Sequence, residues 1–522
     1  MNTRQRAMYA SRARGARAPY GLGTRQSGLP HRTDAAEDRV ATQAASTSCE
    51  AGKFSHVLVD ADANRRLFEY ERSVKDRFAA IVPVLKEIAA IQHERDFVER
   101  AQYIANAKLG FSLPQRMLDD AWVEQLDMRS LYAHCVSNAF HQAAAQIQAE
   151  QTQSRETLDQ ERYYLQDCNF HEVDFSPCAD GRLMGLARFV LRMPQGAVRR
   201  KSYAGAMFDV EANVRHWMRT EFYRHREGVP SLPDAGTRYL KVAVYHWSSS
   251  DPAHEGCAAH GSDERAAAEA ALNRLIAFRQ AIENSFCCGA SVDMLLIGVD
   301  TDTDAIKMHI PDADGAISLY RYVDSAELYR QTAGMDEKSA HARLWETIQA
   351  AIRSEGWGQG NGAPHEGMLR LIGRLLINNL SQIDYVCKNY GGRYPDIGHN
   401  ELFISVGEGF EEVQIRNLTY YAAMYTVEEG APDLDIGVKI FKGLNVSRGL
   451  PIPVIIHYRY DSRVPGSRDR IVAQCRRVKA AIEARYPALV KDRLLLCAMT
   501  VQDKAQGSGI EQVEQESSNH AH

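Results

Sequence analysis

The chain has 522 residues, 45% of them hydrophobic and 25% charged, with a formal net charge of -5 at pH 7. These are ordinary values for a globular protein, and at roughly 150 residues per domain the length suggests about three domains. They exclude wholesale disorder. No apolar run approaches the ~18 residues a membrane-spanning helix needs, and the N-terminus carries no hydrophobic signal core, so a soluble, intracellular protein is expected. Ten cysteines are too sparse for a disulfide-stapled scaffold. They are expected as thiols, some of them free to bind a metal.

Residues 1–50 read as a disordered basic arm. They are rich in Arg, Gly, Ala, Ser, Thr and Gln without helical or strand period, and seven arginines (Arg4, Arg6, Arg12, Arg14, Arg17, Arg25 and Arg32) precede the first acid, Asp34. A basic arm on an acidic body suggests an anionic partner. A small all-α domain is expected over 51–155. Leu67, Tyr70, Val74, Phe78, Ile81, Leu85 and Ile88 recur at helical spacing, with a kink expected at Pro83. Helices follow at Phe97–Ala107 and Trp122–Phe140, and a polar, Gln-rich stretch at Ala149–Glu161 ends the domain.

Over 156–399 strands alternate with helices, the pattern of an α/β domain with a largely parallel sheet. Strands are expected at Glu172–Phe175, Leu240–His246 and Asp293–Val299, and helices at Leu183–Arg192, Arg265–Phe286 and across Ser339–Cys387. Residues 400–522 repeat the pattern. Val454–Tyr458, the helix Arg470–Arg485 and Asp492–Ala498 mirror 242–247, 265–286 and 293–299, while Cys178 falls opposite Gly407–Gly409 and nothing matches Cys257. This reads as a degenerate second α/β copy, a structural relic packed against the first, with a polar tail. The fold class is therefore multidomain α plus α/β.

Two stretches offer metal ligands: Cys178, within Pro177-Cys-Ala-Asp-Gly-Arg182 at a strand end, and His246 with Cys257 eleven residues on. Strand ends of a parallel sheet are where ligands gather. A Cys2His set suits tetrahedral zinc with the fourth position open. A buried core cysteine and a hydrogen-bonded histidine are an equal reading of the same spacing, and His254, His260, Cys287 and Cys288 compete as ligands. Asp180 and Arg182 are close enough for an arginine fork to hold the carboxylate ionised, poised to take a proton. The commoner meaning of that pair is a structural ion pair. Arg199-Arg200-Lys201 and Asp300-Thr-Asp302-Thr-Asp304 read as solvated charge, the latter lacking the Gly and Glu of a calcium loop, and Gly356–Gly362 as a loose connection.

Cys-x-Asp-x-Arg followed by a His and a Cys at a second strand end resembles the β-class carbonic anhydrases, but the usual His-x-x-Cys becomes His246-x10-Cys257. That departure, the helical domain, the stretch from Arg199 to Ala206 and the degenerate copy resemble specifically the divergent carboxysome shell carbonic anhydrase family. The resemblance covers nearly all of the chain after residue 50. It implies one Zn2+ per chain on Cys178, His246 and Cys257, with Asp180 and Arg182 as catalytic dyad and His399, at the junction of the two copies, in the substrate pocket. It further implies reversible hydration of CO2 to bicarbonate inside the carboxysome, supplying ribulose bisphosphate carboxylase. The arm is then the expected contact with that carboxylase, shell proteins are further possible partners, and a homodimer or larger assembly is expected, with no nucleic acid and no membrane. A zinc deaminase is disfavoured because Pro177-Cys178 lacks the second cysteine of Pro-Cys-x-x-Cys. A non-catalytic scaffold would need a closed, four-ligand zinc.

Overall fold

The computed structural model describes residues 56–513, except 120, 122–124, 152–154, 195, 230–234, 287–289, 354–362, 411–412, 423, 425 and 506–508. The arm, the 356–362 stretch, Cys287 and Cys288 lie outside the described residues. Among the described residues no helix is long and apolar enough to cross a membrane.

The helical segment begins with α1 (Ala61–Ala90), where the Asp60 carboxylate accepts from Ala63 N at 2.8 Å and so caps the first turn. Its apolar stripe from Leu67 to Ile88 is buried as its period requires, and the helix runs on through Pro83, which sits on the exposed side. α2 (Phe97–Leu109) ends at Gly110, and α3 (Met128–Gln151) lies across both α1 and the C-terminal sheet. The polar 149–161 stretch is largely helical: α4 (Arg155–Asp167) packs on the first strand of the next sheet.

That sheet has the order β2-β1-β3-β4-β5-β6. Strands β1 (Phe170–Pro177), β2 (Arg199–Arg200), β3 (Arg238–Trp247) and β4 (Asp293–Asp300) are parallel, and β5 (Ile306–His309) and β6 (Tyr322–Asp324) extend the edge antiparallel. Leu240, Val242 and Val244 of β3 are fully buried, each worth about 1.5–3 kcal/mol relative to exposure. α5 (Val210–Arg226) and α6 (Glu264–Phe286) cover the sheet, and α7 (Ser325–Thr332), α8 (Glu337–Arg353) and α9 (Glu366–Tyr390) follow.

The second sheet has the order β11-β10-β9-β7-β8, built from β7 (Phe403–Gly407), β8 (Thr419–Ala422), β9 (Ile452–Tyr460), β10 (Leu495–Asp503) and β11 (Glu511–Gln512), with helices α10 (Val427–Leu444) and α11 (Ser467–Arg485). Strand for strand and direction for direction, β8-β7-β9-β10-β11 repeats β2-β1-β3-β4-β5. Pro177 pairs with Val244 and Val406 with Ile456, so Cys178 corresponds to Gly407 and His246 to Tyr458. Gly407 has φ +114, and a Cβ there would lie 2.0 Å from His457 O. A cysteine does not fit this backbone, so the second copy has lost the geometry of the ligand position as well as the ligand.

Four sequence expectations are corrected. In place of a helix at 183–192 there is a 3-10 turn (Gly181–Leu183) and a π-type turn (Leu186–Val190), ended by Arg192 at φ +51. Apart from Arg188 and Arg192 this run is apolar, and its side chains divide between two cores, so packing rather than helical period sets its path. The strand expected at 492–498 is β10, three residues later, because Arg493 turns at φ +54. Asp300, Asp302 and Asp304 are buried, not solvated, and accept hydrogen bonds from Ser249, Ser248 and Gln382 respectively. Arg199-Arg200-Lys201 also turns inward: Arg199 pairs with Asp174 at 2.6 Å, Arg200 donates to Leu183 O and Met184 O, and Lys201 is buried.

Candidate active site

The parallel strands bring three ligand-type side chains to one end of the first sheet. Cys178 follows the last residue of β1, and its backbone N donates to Val244 O. His246 is in the last turn of side chains on β3, and Cys257 stands in the β3–α6 loop just before a 3-10 turn. All three are buried, with their ligand atoms within 4.8 Å of one another. The two sulfurs lie 3.9 Å apart, and Gly205 N donates to Cys178 Sγ at 3.3 Å. The competing histidines are engaged elsewhere: His254 is exposed and pairs with Asp251, and His260 Nε2 faces Gly205 O.

His246 supplies the test of whether a metal fits. Its side chain is fully buried, yet neither ring nitrogen has a hydrogen-bond partner, and leaving a buried polar group unpaired costs about 1–3 kcal/mol. Two sulfurs on a tetrahedral zinc, with Zn–S of ~2.3 Å, would stand about 3.8 Å apart. The donor set is compatible with a metal in both chemistry and spacing. Cys178, hydrogen-bonded to Cys257 and buried, is pushed well above the ordinary thiol range, whereas Cys257 falls below it through that same hydrogen bond, against the opposing effect of burial.

Asp180 opens the turn after β1 and is gripped by Arg182. Arg182 Nε donates to Oδ1 at 2.9 Å and Nη2 to Oδ2 at 2.7 Å, while Nη1 donates to Glu255 O and Ile397 O. Both side chains are buried. Burial opposes the Asp180 charge, but Arg182, with His246 and His399, outweighs it and holds the carboxyl well below its usual range. Asp180 Oδ2 lies 3.4 Å from His246 Nε2, beside the ligand cluster. The two-point fork fixes the direction in which the carboxylate points beside the cluster.

His399 reaches the same carboxylate from the other side, with Nε2 3.9 Å from Asp180 Oδ2 and Nδ1 2.9 Å from Glu401 Oε1. Burial lowers its pKa, but the charges of Asp180 and Glu401 prevail and raise it to about 9. A narrow pocket beside the ligands is lined by Asp180, Gly205, His399, Tyr420, Ile436 and Ile440.

The chain matches the family profiles of the carboxysome shell carbonic anhydrase: the N-terminal part at residues 56–148, the catalytic domain at 159–399 and the C-terminal part at 400–517. It is 51% identical over 461 residues to the carboxysome shell carbonic anhydrase of Halothiobacillus neapolitanus, covering 88% of this chain and 90% of that one. To that of Prochlorococcus marinus it is 50% identical over 473 residues, with the same shares. To that of Parasynechococcus marenigrum it is 49% identical over 506 residues, covering 96% of this chain and 86% of that one. The chain belongs to the carboxysome shell carbonic anhydrase family. It is a carbonic anhydrase of the carboxysome.

Family membership leaves open what each half of this carbonic anhydrase contributes, and here the relic reading of the second copy is corrected. Tyr420 of β8 and Ile436 and Ile440 of α10 wall the pocket, and Asp433 of α10 accepts from Ala204 N at 2.7 Å, next to the turn that holds Cys178. Sequence reasoning missed Glu401 and Tyr420. The one available signal for Glu401 was its place two residues from His399, which puts the two side chains on one side of an extended segment.

Proposed function

We propose that this chain is a zinc-dependent carbonic anhydrase that interconverts CO2 and bicarbonate and supplies CO2 to ribulose bisphosphate carboxylase inside the carboxysome. The observation that carries the reading is His246, buried with neither ring nitrogen hydrogen-bonded, clustered with two thiols and beside a forked carboxylate. Cys178, His246 and Cys257 would hold the ion. Zinc, when bound, supplies acidification of water from a pKa of ~15.7 to about 7, so that a nucleophile exists at neutral pH. Asp180 Oδ2 takes the proton released in hydration and returns it in dehydration, and Arg182 keeps that carboxylate ionised and fixed in direction. Ile436 and Ile440 give an apolar wall suited to a small uncharged substrate. Oxygen-isotope exchange between CO2 and water is expected to be rapid with the zinc-loaded protein, to vanish on chelation and to return with added zinc. Exchange that survives complete removal of zinc would refute the reading.

We also propose the arm as the contact with the carboxylase, with shell proteins as further partners and a homodimer or larger assembly. Seven arginines with no acid among them suit acidic surface groups, which they can engage as forks, and such binding weakens as salt rises. Deleting residues 1–50 is expected to leave CO2 hydration by the isolated enzyme unchanged and to abolish co-purification with the carboxylase at low salt. Undiminished binding by the truncated protein, or an arm absent from the mature protein, would exclude the arm as the contact.

A further inference from the structure

The short turn Asp180-Gly181-Arg182 presents the Gly181 backbone and the Asp180 carboxylate toward the residues that open the second copy. Glu401 meets both from just before β7. Its side chain has no exposure, and Oε1 accepts from Gly181 N at 3.1 Å and faces His399 Nδ1 at 2.9 Å. The fit is close enough that a Cβ at residue 181 would lie 2.3 Å from Glu401 Cγ, so a glycine between the two dyad residues is what admits this carboxylate. Oε2 is buried and has no hydrogen-bond partner. A fully buried carboxylate with one oxygen unsatisfied is costly, and a glutamine in its place would offer Gly181 N the same acceptor without burying a charge. A group retained at such a cost is expected where it serves the site.

We infer that Glu401 is a positioning residue of the active site, acting through His399. By accepting from Nδ1–H it fixes the ring so that Nε2 is the nitrogen turned toward Asp180, and by accepting from Gly181 N it holds the turn that carries the dyad at a set distance from that ring. A ring nitrogen committed to a carboxylate fixes the role of the other nitrogen. Neighbouring groups hold the same segment: Asn417 N donates to Gly181 O at 2.8 Å, its Nδ2 donates to Asp396 Oδ2 at 2.7 Å, and Arg416 Nη2 donates to Asp396 O at 2.6 Å. The second copy thus aligns the catalytic side chains of the first.

The inference rests on the zinc carbonic anhydrase reading, and its test separates the two. Glu401→Gln keeps an oxygen that can accept from Gly181 N but weakens the pairing with His399. CO2 hydration, zinc content and thermal midpoint are measured for the wild type, Glu401→Gln, His399→Ala and the double variant. The expected result is unchanged zinc and KM in Glu401→Gln, kcat reduced about tenfold, and less than a twofold further effect when His399 is already alanine. An equal loss in both backgrounds, or no loss in either, overturns the inference while the wild type remains an active zinc enzyme. A wild type that hydrates CO2 without zinc would instead fail the underlying reading.

Discussion

Cys257→Ser is expected to lose zinc and with it CO2 hydration. The three donors Cys178, His246 and Cys257 are the whole of their cluster among the described residues, and the nearest further oxygen, on Asp180, is held by Arg182. A site with three protein ligands and an open position has none to spare, and metal affinity in such sites depends on each thiolate. Activity should fall by well over ~100-fold, since even partners that only orient a metal ligand cost up to about that much when removed. Cys178→Ser and His246→Ala should behave alike. Cys475→Ser and Cys497→Ser serve as controls: both lie in the second copy, and Cys475 Sγ faces Thr500 O rather than the ligand cluster. The check is zinc per chain alongside isotope exchange. Full zinc and full activity in Cys257→Ser would refute the ligand assignment.

How far such a site can be read from sequence depends on whether its signal is local. The strands around Cys178 and His246 were legible because near-continuous apolar runs such as Leu240–Tyr245 have few other uses in a chain of this kind. The helix Val210–Arg226 was not. Its buried residues are Asn213, Trp217, Glu221 and Arg224, so it shows no apolar stripe; the polar ones are satisfied by partners far along the sequence, as Asn213 is by Lys241 and Glu221 by His171. The buried acids at 300–304 misled for the same reason. An Asp run looks solvated unless Ser248, Ser249 and Gln382 are known to lie against it. Glu401 belongs to this class. Nothing at residues 399–401 announces that Gly181, some 220 residues earlier, will present its backbone N–H there.

Asp180→Asn is the sharper test of chemistry, because it should separate metal binding from catalysis. The amide is nearly the same size and can stay in the Arg182 fork through one oxygen, so the turn, the zinc content and the fold should persist. What is lost is a carboxylate oxygen at the Oδ2 position able to take up a proton, and removing a positioned general base typically costs about 10^2–10^4-fold. That loss should appear in kcat, as isotope exchange at saturating CO2, and not in zinc per chain. Arg182→Ala should fail by a different route. It releases both oxygens of Asp180, now fixed at 2.9 and 2.7 Å, and a freed carboxylate beside His246 can turn toward the metal position and occupy the place the substrate water needs. Asp180→Asn combined with Arg182→Ala removes that obstruction, because an amide is a poor ligand compared with a carboxylate. The double variant should therefore be no worse than Arg182→Ala alone. An Asp180→Asn enzyme with wild-type kcat would show that the proton leaves by another group.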